Sequence, residues 1–514
     1  MRRAIFCSTY TFATLISETL MPQPDPSSPT RGDSAPTPPE APSQNPYTQD
    51  RWLPYLPFLV AATFFMEYLD TTVLATALPQ MAHSFNVVPS ALSIGMSAYM
   101  LALAVFIPVS GWMADRFGAK TIFSLAIVIF TLSSILCGLS VGLLSFTSAR
   151  ILQGIGGAMM VPVGRLIVVR AVDKADLMRA IATITWPAIA APVIGPPIGG
   201  VITTYASWRW IFLLNVPFGI AALIAAGIMI RNTRGTTRRP LDIVGFLYCA
   251  LALTGIMYGT ELASQQDANL WMAAGCFFGG ILMGTIAVRH LRGHANPLMD
   301  LSAMRVPTFS VTVLSGTMTR IGINAIPFLL PLLFQVGFGM SAFHSGILLF
   351  VSALGNFGMK AVTTKVLMRF GFRGTSLVDV TIAGIVMIAC GFLTPDTPMA
   401  VTLIVIFIYG CTRSMQFSLL ATLAYADIPK DQVNSANTLW NAALQMAIGL
   451  GIAFGALGLR IAASLRAGDD AHATHHLVLS DFRLAFVATG VVTFLSLYGY
   501  WRLAPQAGRH LSEK

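Results

Sequence analysis

GWMADRFGAK, at residues 111–120, is a short charged segment between two long apolar runs of the chain. The segment MRFGFR at residues 368–373 repeats part of it at an offset of 253 residues, which is 368 minus 115. Two six-helix halves repeat after roughly 200 residues, at about 33 residues per helix and loop, so the offset leaves room for about two further helices. The repeat therefore predicts two related halves with two helices inserted between them.

Apolar runs continue from this segment in both directions. Of the 514 residues, 55% are hydrophobic and 11% are charged, whereas roughly a quarter of the residues are charged in an ordinary soluble domain. A helix needs about 20 apolar residues to cross roughly 30 Å of hydrocarbon. The pattern excludes a soluble protein and predicts an all-α polytopic membrane protein with about fourteen transmembrane helices. The predicted spans lie near 54–79, 91–112, 121–140, 143–168, 179–203, 209–230, 241–262, 269–289, 308–334, 342–364, 376–395, 399–424, 434–462 and 482–502.

Lys and Arg indicate the orientation, because cytoplasmic loops carry an excess of them. With the N-terminus inside, the inner breaks hold most of the cations, such as Arg116, Lys120 and Arg170, while the outer breaks clearly hold only Arg209 and Arg466. Both termini are therefore predicted to be cytoplasmic and the number of spans to be even. The net charge of +10 is spread over these short breaks, so we expect no nucleic-acid partner.

The sequence predicts five parts. Residues 21–50 are rich in Pro and Ser and cannot bury enough apolar surface to fold. The first 20 residues are similar to a signal peptide but have no convincing cleavage site, and translation from Met1 or from Met21 is equally plausible. The parts are a disordered cytoplasmic tail (1–50), an N-terminal six-helix bundle (51–232), two inserted helices (233–295), a C-terminal six-helix bundle (296–503) and a cytoplasmic tail (504–514).

Four motifs occur in a fixed order and spacing: LDTTVLATALP (69–79), GWMADRFGAK (111–120), RILQGIGGA (150–158), and GPPIGG (195–200) followed by WRWIFLLNVP (208–217). Together they resemble the major facilitator superfamily, and within it the fourteen-helix drug:proton antiporter branch that contains the EmrB and QacA exporters. The resemblance covers residues 53–503. Ala119 departs from the basic residue that is more usual in the second motif.

The resemblance implies the major facilitator fold, with two six-helix bundles and two extra central helices. It implies a proton-coupled antiporter in the plasma (bacterial inner) membrane that exports small lipophilic drugs or toxic compounds by alternating access. The proton gradient would supply the energy and no cofactor is expected. The implied partners are a small-molecule substrate, protons and the lipid bilayer, and whether a periplasmic adaptor takes part is left open.

Enzyme activity is not expected. The sequence contains no G-x-x-x-x-G-K-[ST] phosphate loop and no HExxH zinc pair. The string GLSVG at residues 138–142 joins two membrane spans rather than a strand and a helix. Six cysteines show no CxxC pairing, and the outer residues His472, His475 and His476 have no regular ligand spacing, so we expect neither disulfides nor a metal site.

Two groups of residues are predicted to control the conformational change. A charge pair and a tight glycine turn at the inner end of helix 2 can latch the two halves, although the cations alone would also serve as a topology signal. In helix 5, glycines and prolines allow close backbone approach to a neighbouring helix. The gating residues are Gly111, Asp115, Arg116, Gly118, Lys120, Arg369 and Gly371, and those of the antiporter motif are Gly195, Pro196, Gly199 and Gly200.

Charged residues inside the membrane are costly and indicate the mechanism. Glu67 and Asp70 share one face of helix 1, where a carboxyl group removed from water suits a proton carrier. Asp70 and Arg150 match the resemblance, whereas Glu67 does not belong to its motif. The prediction is proton coupling by all three residues, and the alternative is a permanent ion pair that orients helix 1.

The second half is basic. Arg320 lies at the repeat position of Glu67, so the two are expected to face each other across the cavity. Arg413 and Lys360 complete a predicted substrate cavity, although Lys360 is near enough to the inner end to reach the interface. Internal charge pairing of Arg320 and Arg413 is an equally favoured alternative to substrate contact. These cations leave open a second function, export of an organic anion or an anionic metal complex. A transporter-like membrane sensor is a third. Glu261 and Asp379 are expected to be interfacial.

Overall fold

A computed structural model describes residues 52–172, 176–232, 240–265, 269–294, 296–429, 432–467 and 477–504 of the chain. The predictions for the N-terminal tail, for residues 505–514 and for His472, His475 and His476 fall outside the described residues. In chain order the helices are α1 Leu56–Phe85, α2 Ser93–Phe117, α3 Ala119–Gly138, α4 Leu143–Ala171, α5 Leu177–Tyr205, α6 in two segments Arg209–Leu213 and Asn215–Met229, α7 Ile243–Ser264, α8 Leu270–Gly293, α9 Pro307–Leu332 with a π-helical continuation Leu333–Gly337, α10 (342–370), α11 (372–391), α12 Met399–Ala426, α13 Val433–Ala467 and α14 Leu479–Leu495 with the short helix Leu497–Trp501.

The number of membrane-length helices agrees with the sequence. By length and composition, twelve helices of the described residues can cross a membrane, and one of them is the continuous stretch Ala342–Gly391. That stretch contains the non-helical residue Gly371, with φ 68° and ψ 169°, so it comprises α10 and α11. Helix α5 is outside the twelve, but its 29 residues are long enough to span. The prediction of an all-α membrane protein with about fourteen spans is confirmed.

Local sequence explains where several helices begin and end. Gly118 has a φ of 101°, which glycine adopts without strain, so α2 ends there and α3 begins at the next residue. Asn86, in the left-handed region at φ 54°, ends α1. The two inserted helices start at capping residues: Asp242 accepts a hydrogen bond from the backbone N–H of Gly245, and Asn269 accepts two from the first turn of α8.

Helices α7 and α8 form a hairpin, here called the inserted hairpin, whose two helices touch through glycines. A Cβ atom at Gly255 would lie 2.7 Å from the Cα of Gly280, so no side chain separates the backbones there. Only α7 of the pair also packs extensively against the two bundles, on α2 of the first and α13 of the second. On α2, the rings of Phe106 and Phe246 lie 5.7 Å apart. The inserted hairpin therefore covers one seam between the bundles.

The buried apolar side chains define the conformation. Toward the outer ends, one cluster combines residues of both bundles, including Phe85 and Phe328. Toward the inner ends, the buried side chains form two separate clusters, one in the N-terminal bundle around Phe123 and one in the C-terminal bundle around Phe309. The bundles are joined at their outer ends and separate toward the cytoplasm, which is an inward-facing arrangement.

Candidate functional site

Asp70 lies in the middle of α1 and is 2% exposed. One carboxylate oxygen lies 2.6 Å from Nη1 of Arg150 in α4. The other accepts hydrogen bonds from Nε2 of Gln153, at 3.0 Å, and from Nδ2 of Asn215 in α6, at 2.8 Å. Removing a carboxylate and a guanidinium from water is costly, and the two amide donors help to offset that cost.

A second layer of contacts holds the donors of Asp70 in place. The hydroxyl of Ser134 in α3 accepts from both amides, at 2.9 Å from Gln153 and 3.3 Å from Asn215. The guanidinium of Arg150 lies 4.1 Å from the centre of the Tyr99 ring in α2. The Asp70 network, defined as Asp70, Arg150, Gln153, Asn215 and Ser134, therefore joins four helices of the N-terminal bundle.

Three of the sequence motifs meet at this network. Asp70 comes from LDTTVLATALP, Arg150 and Gln153 come from RILQGIGGA, and Asn215 comes from WRWIFLLNVP. The structure brings Asp70 and Arg150 together, and their part in proton coupling stays a prediction. Sequence reasoning missed the roles of Gln153 and Asn215. The sequence did contain a signal for both residues, since each is an amide side chain among mostly apolar residues of a quoted motif.

Glu67 lies one turn before Asp70 and is 5% exposed. A Cβ atom at Gly157 of α4 would be 3.5 Å from the Glu67 carboxyl carbon and 3.1 Å from the Tyr99 hydroxyl, so the acid and the phenol line one small space. Within the described part of the chain, neither Oε2 of Glu67 nor the Tyr99 hydroxyl has a hydrogen-bond partner. Glu67 therefore forms a second acidic position beside the Asp70 network.

Arg320 in α9 is 5% exposed, and its guanidinium lies 3.9 Å from the centre of the Trp440 ring in α13. None of the salt bridges in the described residues involves it. The neighbours of Arg320 are Trp440, Tyr425 and Tyr500 of its own bundle, and its position opposite Glu67 across the cavity stays a prediction. Each of the two charges is enclosed by its own bundle in this conformation.

The other two predicted cavity cations have different surroundings. Arg413 in α12 is half-buried beside Tyr409, one turn earlier on the same helix. Lys360 in α10 is exposed. Neither shares the aromatic neighbours of Arg320, and the assignment of both to a substrate cavity stays a prediction.

Sequence reasoning missed Arg165, which lies between the bundles. This exposed residue of α4 interacts electrostatically with Tyr68 of α1 and with Tyr425 of α12. Tyr425 also interacts with Arg320, so cations from both bundles approach one phenol. The available signal was the position of Arg165 inside an apolar run, near enough to its end to be mistaken for an interfacial charge.

Glu261 and Asp379 are buried rather than interfacial, so both expectations were wrong. Glu261 is 3% exposed and accepts a hydrogen bond from Ser93 of α2 at 2.5 Å. Asp379 is 7% exposed in α11, beside Gln416 of α12. Position along a span did not reveal their burial, because neighbouring helices cover them.

The predicted inner gate forms contacts within the N-terminal bundle. Asp115 lies 2.6 Å from Nη2 of Arg170 at the end of α4. Lys120 donates to the backbone oxygen of Gly227 at 2.7 Å. A Cβ atom at Gly118 would collide with the side chain of Asn232. Since the inner ends of the bundles are apart, Asp115 pairs with Arg170 of its own bundle, and in the described part of the chain it forms no latch between the halves.

The remaining predicted gating residues are Gly111, Arg116 and Arg369, which are exposed, and Gly371, which separates α10 from α11.

The antiporter motif forms the outer seal, defined here as the contact of α5 with α1 and α10. Cβ atoms at Gly195 and Gly199 would lie 2.2 Å and 2.3 Å from the hydroxyls of Thr72 and Thr76 in α1. On the opposite bundle, a Cβ at Gly200 would lie 2.7 Å from the backbone oxygen of Ala342. The partner position is equally tight, since a Cβ at Gly346 in α10 would lie 2.5 Å from the backbone oxygen of Pro196. Sequence reasoning identified the α5 glycines but not Gly346.

Comparison with known proteins agrees with this geometry. Residues 60–452 match the sequence model of the Major Facilitator Superfamily. The chain is 36% identical over 430 residues to the "Putative multidrug resistance protein MdtD" of Salmonella heidelberg (strain SL476), covering 82% of this chain and 90% of the relative, and the protein of the same name from Salmonella typhimurium has the same identity and coverage.

Solved structures show the same fold at low sequence identity. A bacterial homologue of the human lysosomal transporter Spinster, inward-facing and unoccupied, superposes with a TM-score of 0.63 at 16% identity, covering 90% of this chain and 98% of the other. The POT family transporter PepTSo gives a TM-score of 0.64 at 11% identity, covering 88% of this chain and 99% of the other.

Proposed function

Because the chain belongs to the major facilitator superfamily, we propose that it is a proton-coupled antiporter that exports small lipophilic compounds by alternating access. It is an integral protein of the plasma (bacterial inner) membrane. The names of the MdtD relatives support drug-like cargo. The proton gradient supplies the energy, and the cargo crosses without chemical conversion.

The observation that carries this proposal is the burial of Asp70 against Arg150. In the inward-facing conformation the ionised carboxylate is stabilised by the cation and by two amide donors. Once the protein has turned to face outward, a proton arriving from outside would neutralise Asp70 and remove most of its attraction for Arg150, since the Coulomb energy of a close pair is large away from water. Protonation thus selects a conformation in which α1 is freer to move against α4.

The helix that carries Asp70 also contacts the outer seal. Thr72 and Thr76 lie two and six residues beyond Asp70 on α1, against the glycines of α5, and α5 contacts α10 of the other bundle at Gly200. A movement of α1 would therefore shift α5 and change the contact between α5 and α10 that closes the outer path. This gives the proton a physical route to conformational change, through packed backbone rather than through a flexible loop.

The test is exchange in sealed vesicles that contain the purified protein under an imposed pH gradient. Cationic dyes and organic anions are added in turn, and proton release is followed with a pH-sensitive dye. We expect dye-driven proton release, and we expect Asp70→Asn to abolish it while Asp396→Asn, at an exposed outer position, leaves it unchanged. Exchange at the normal rate by the Asp70→Asn protein would overturn the proposal.

A second candidate function, export of an organic anion, is favoured by one observation. Arg165 and Arg320 approach Tyr425 from opposite bundles, and paired cations lining a cavity attract anions. In the same vesicles, proton release driven only by anions and lost in Arg320→Gln would support this candidate. Ligand binding without flux of any kind would favour the sensor.

A further inference from the structure

The inner end of the inserted hairpin carries a cluster that lies outside the transport pathway. Asp242 caps the start of α7, and its side chain is 2% exposed. Its Oδ1 accepts hydrogen bonds from the backbone N–H of Gly245 at 2.8 Å and from Nε2 of His290 at 2.9 Å. Its Oδ2 accepts from the backbone N–H of Leu298 at 3.2 Å. The carboxylate thus connects α7, the end of α8 and the segment that leads to α9.

A second imidazole completes the cluster. His294 follows His290 by one helical turn, and their ring centres are 5.0 Å apart with the planes tilted by 30°. The backbone N–H of Asn296 donates to Nδ1 of His294 at 3.2 Å, which places the ring proton on Nε2. A metal at Nε2 would require the tautomer with the proton on Nδ1, which the exposed ring can adopt by giving up the contact with Asn296. One ligand atom from each of Asp242, His290 and His294 lies within 4.8 Å of the others.

These three donors are the types that zinc prefers. In a tetrahedral zinc site the ligand atoms lie about 2.0–2.2 Å from the ion, and so roughly 3.3 Å from one another. His290 and Asp242 are already close to that separation at 2.9 Å. His294 is exposed, so a rotation of its side chain can bring its nitrogen in. The fourth position would remain for water.

The surroundings of Asp242 hold its carboxylate in one orientation. The buried carboxylate accepts hydrogen bonds from the backbone N–H groups of Gly245 and Leu298 and lies against Nε2 of His290. The two backbone donors fix the direction of the carboxylate, as outer-shell partners do around metal ligands. Binding of a metal at Nε2 of His290 would require the tautomer in which the ring proton is on Nδ1, so the hydrogen bond between Nε2 and Asp242 would be replaced by joint coordination of the ion.

We propose that Asp242, His290 and His294 form a site for Zn²⁺, or for another divalent transition metal with the same ligand preference, at the cytoplasmic end of the inserted hairpin. The metal fastens α7 to α8 and, through Leu298, holds the hairpin to the segment that enters the C-terminal bundle. The sequence did not reveal this site because Asp242 and His290 are 48 residues apart. The fold brings them together only when α7 and α8 pair as antiparallel neighbours.

The test measures zinc on the full chain, purified in detergent through an affinity tag without histidines and stripped with a chelator. Equilibrium dialysis against Zn²⁺ followed by elemental analysis gives the number of ions per chain. We expect the double variant His290→Gln/His294→Gln to bind one ion fewer than the unmodified protein. The matched control is His472→Gln/His475→Gln/His476→Gln, which removes the other histidine-rich stretch and is expected to keep that ion.

Single variants keep the result decisive if the double variant does not fold. His294→Gln changes an exposed side chain and is expected to weaken zinc binding at least tenfold while the protein elutes normally from a sizing column. Replacement of Zn²⁺ by Co²⁺ provides an independent signal, the strong visible absorption of a tetrahedral site, which His294→Gln should lose. An ion count that is equal in the unmodified protein and in both hairpin variants, or no zinc on the unmodified protein, would overturn the proposal.

Discussion

The two bundles bury their charges in different ways. In the N-terminal bundle, Asp70 and Arg150 neutralise each other inside a network of hydrogen bonds. In the C-terminal bundle, Arg320 is buried against an aromatic ring, and no salt bridge of the described residues includes it. An acid that is paired with a cation loses its charge when a proton binds. A cation without an acidic partner in the protein can attract an anion from outside the protein. Under the proposed function, the first bundle would hold the proton chemistry and the second would offer a charge to cargo.

The largest expected effect is on coupling, when Asp70 loses its ability to ionise. Asp70→Asn preserves the shape of the side chain, replaces one acceptor oxygen by an NH2 donor and removes the charge change that a proton would cause. Proton-coupled exchange in vesicles should fall to the background of protein-free vesicles. Asp70→Glu, which keeps a titratable carboxyl, should retain measurable exchange. If Asp70→Glu were as inactive as Asp70→Asn, geometry rather than protonation would explain the loss.

Breaking the pair from the other side should cost stability. Arg150→Gln leaves a buried carboxylate without its cation, and breaking a buried ion pair in this way costs about 3–5 kcal/mol. Thermal unfolding in detergent should show a clear decrease of the melting temperature at neutral pH. The double variant Asp70→Asn/Arg150→Gln has no unpaired charge and should recover most of the loss. Equal destabilisation of the single and double variants would contradict a paired network.

The sequence predicted where each helix lies along the chain better than it predicted which helices pack against one another. The apolar runs predicted about fourteen spans because hydrophobic length is a local property that the bilayer imposes on each helix. The Asp70 network could be predicted in part, since its members carry the polar side chains of the quoted motifs. The burial of Glu261 and Asp379 could not be predicted in this way, because it depends on which helices pack over them. The contacts of Asp242 with His290 depend on the pairing of two helices that the sequence shows only as consecutive.

The outer seal offers a way to shift the conformation without touching a charge. A Cβ atom at Gly200 would meet backbone atoms of Ala342 and Phe343 in the other bundle, which cannot rotate away. Overpacking of this kind costs about 1–3 kcal/mol, so Gly200→Ala should lower the ratio of inward-facing to outward-facing protein by a factor of about 5 to 150. Labelling of a cysteine introduced at the outer end of α10 would report the opening of the outer seal. Gly275→Ala, where a Cβ meets nothing within 4 Å, is the matched control and should not change the labelling.

The C-terminal cation should affect selectivity more than coupling. Arg320→Gln removes a charge that lies near the centre of the Trp440 ring but leaves the Asp70 network intact. Exchange of cationic dyes should stay within about twofold of normal, and any exchange of organic anions should fall about tenfold, which corresponds to about 1.4 kcal/mol of binding energy. Loss of dye exchange as well would mean that Arg320 takes part in proton coupling, and that coupling and cargo binding are not separated between the two bundles.

The smallest effect is expected at Glu261, although it is as deeply buried as the coupling acid. Oε1 of Glu261 accepts from Ser93 at 2.5 Å and from Ser264 at 3.3 Å, so this oxygen holds α7 against α2. Glu261→Gln keeps one acceptor, and the net value of a typical hydrogen bond is only about 0.5–1.5 kcal/mol. Stability should therefore fall by about 1 kcal/mol or less and exchange should stay within about twofold. Abolition of exchange by Glu261→Gln would place a second proton carrier in the inserted hairpin. Burial would then be a better guide to function than pairing with a cation, and proton transfer would no longer be confined to the bundle in which the acid and the cation are paired.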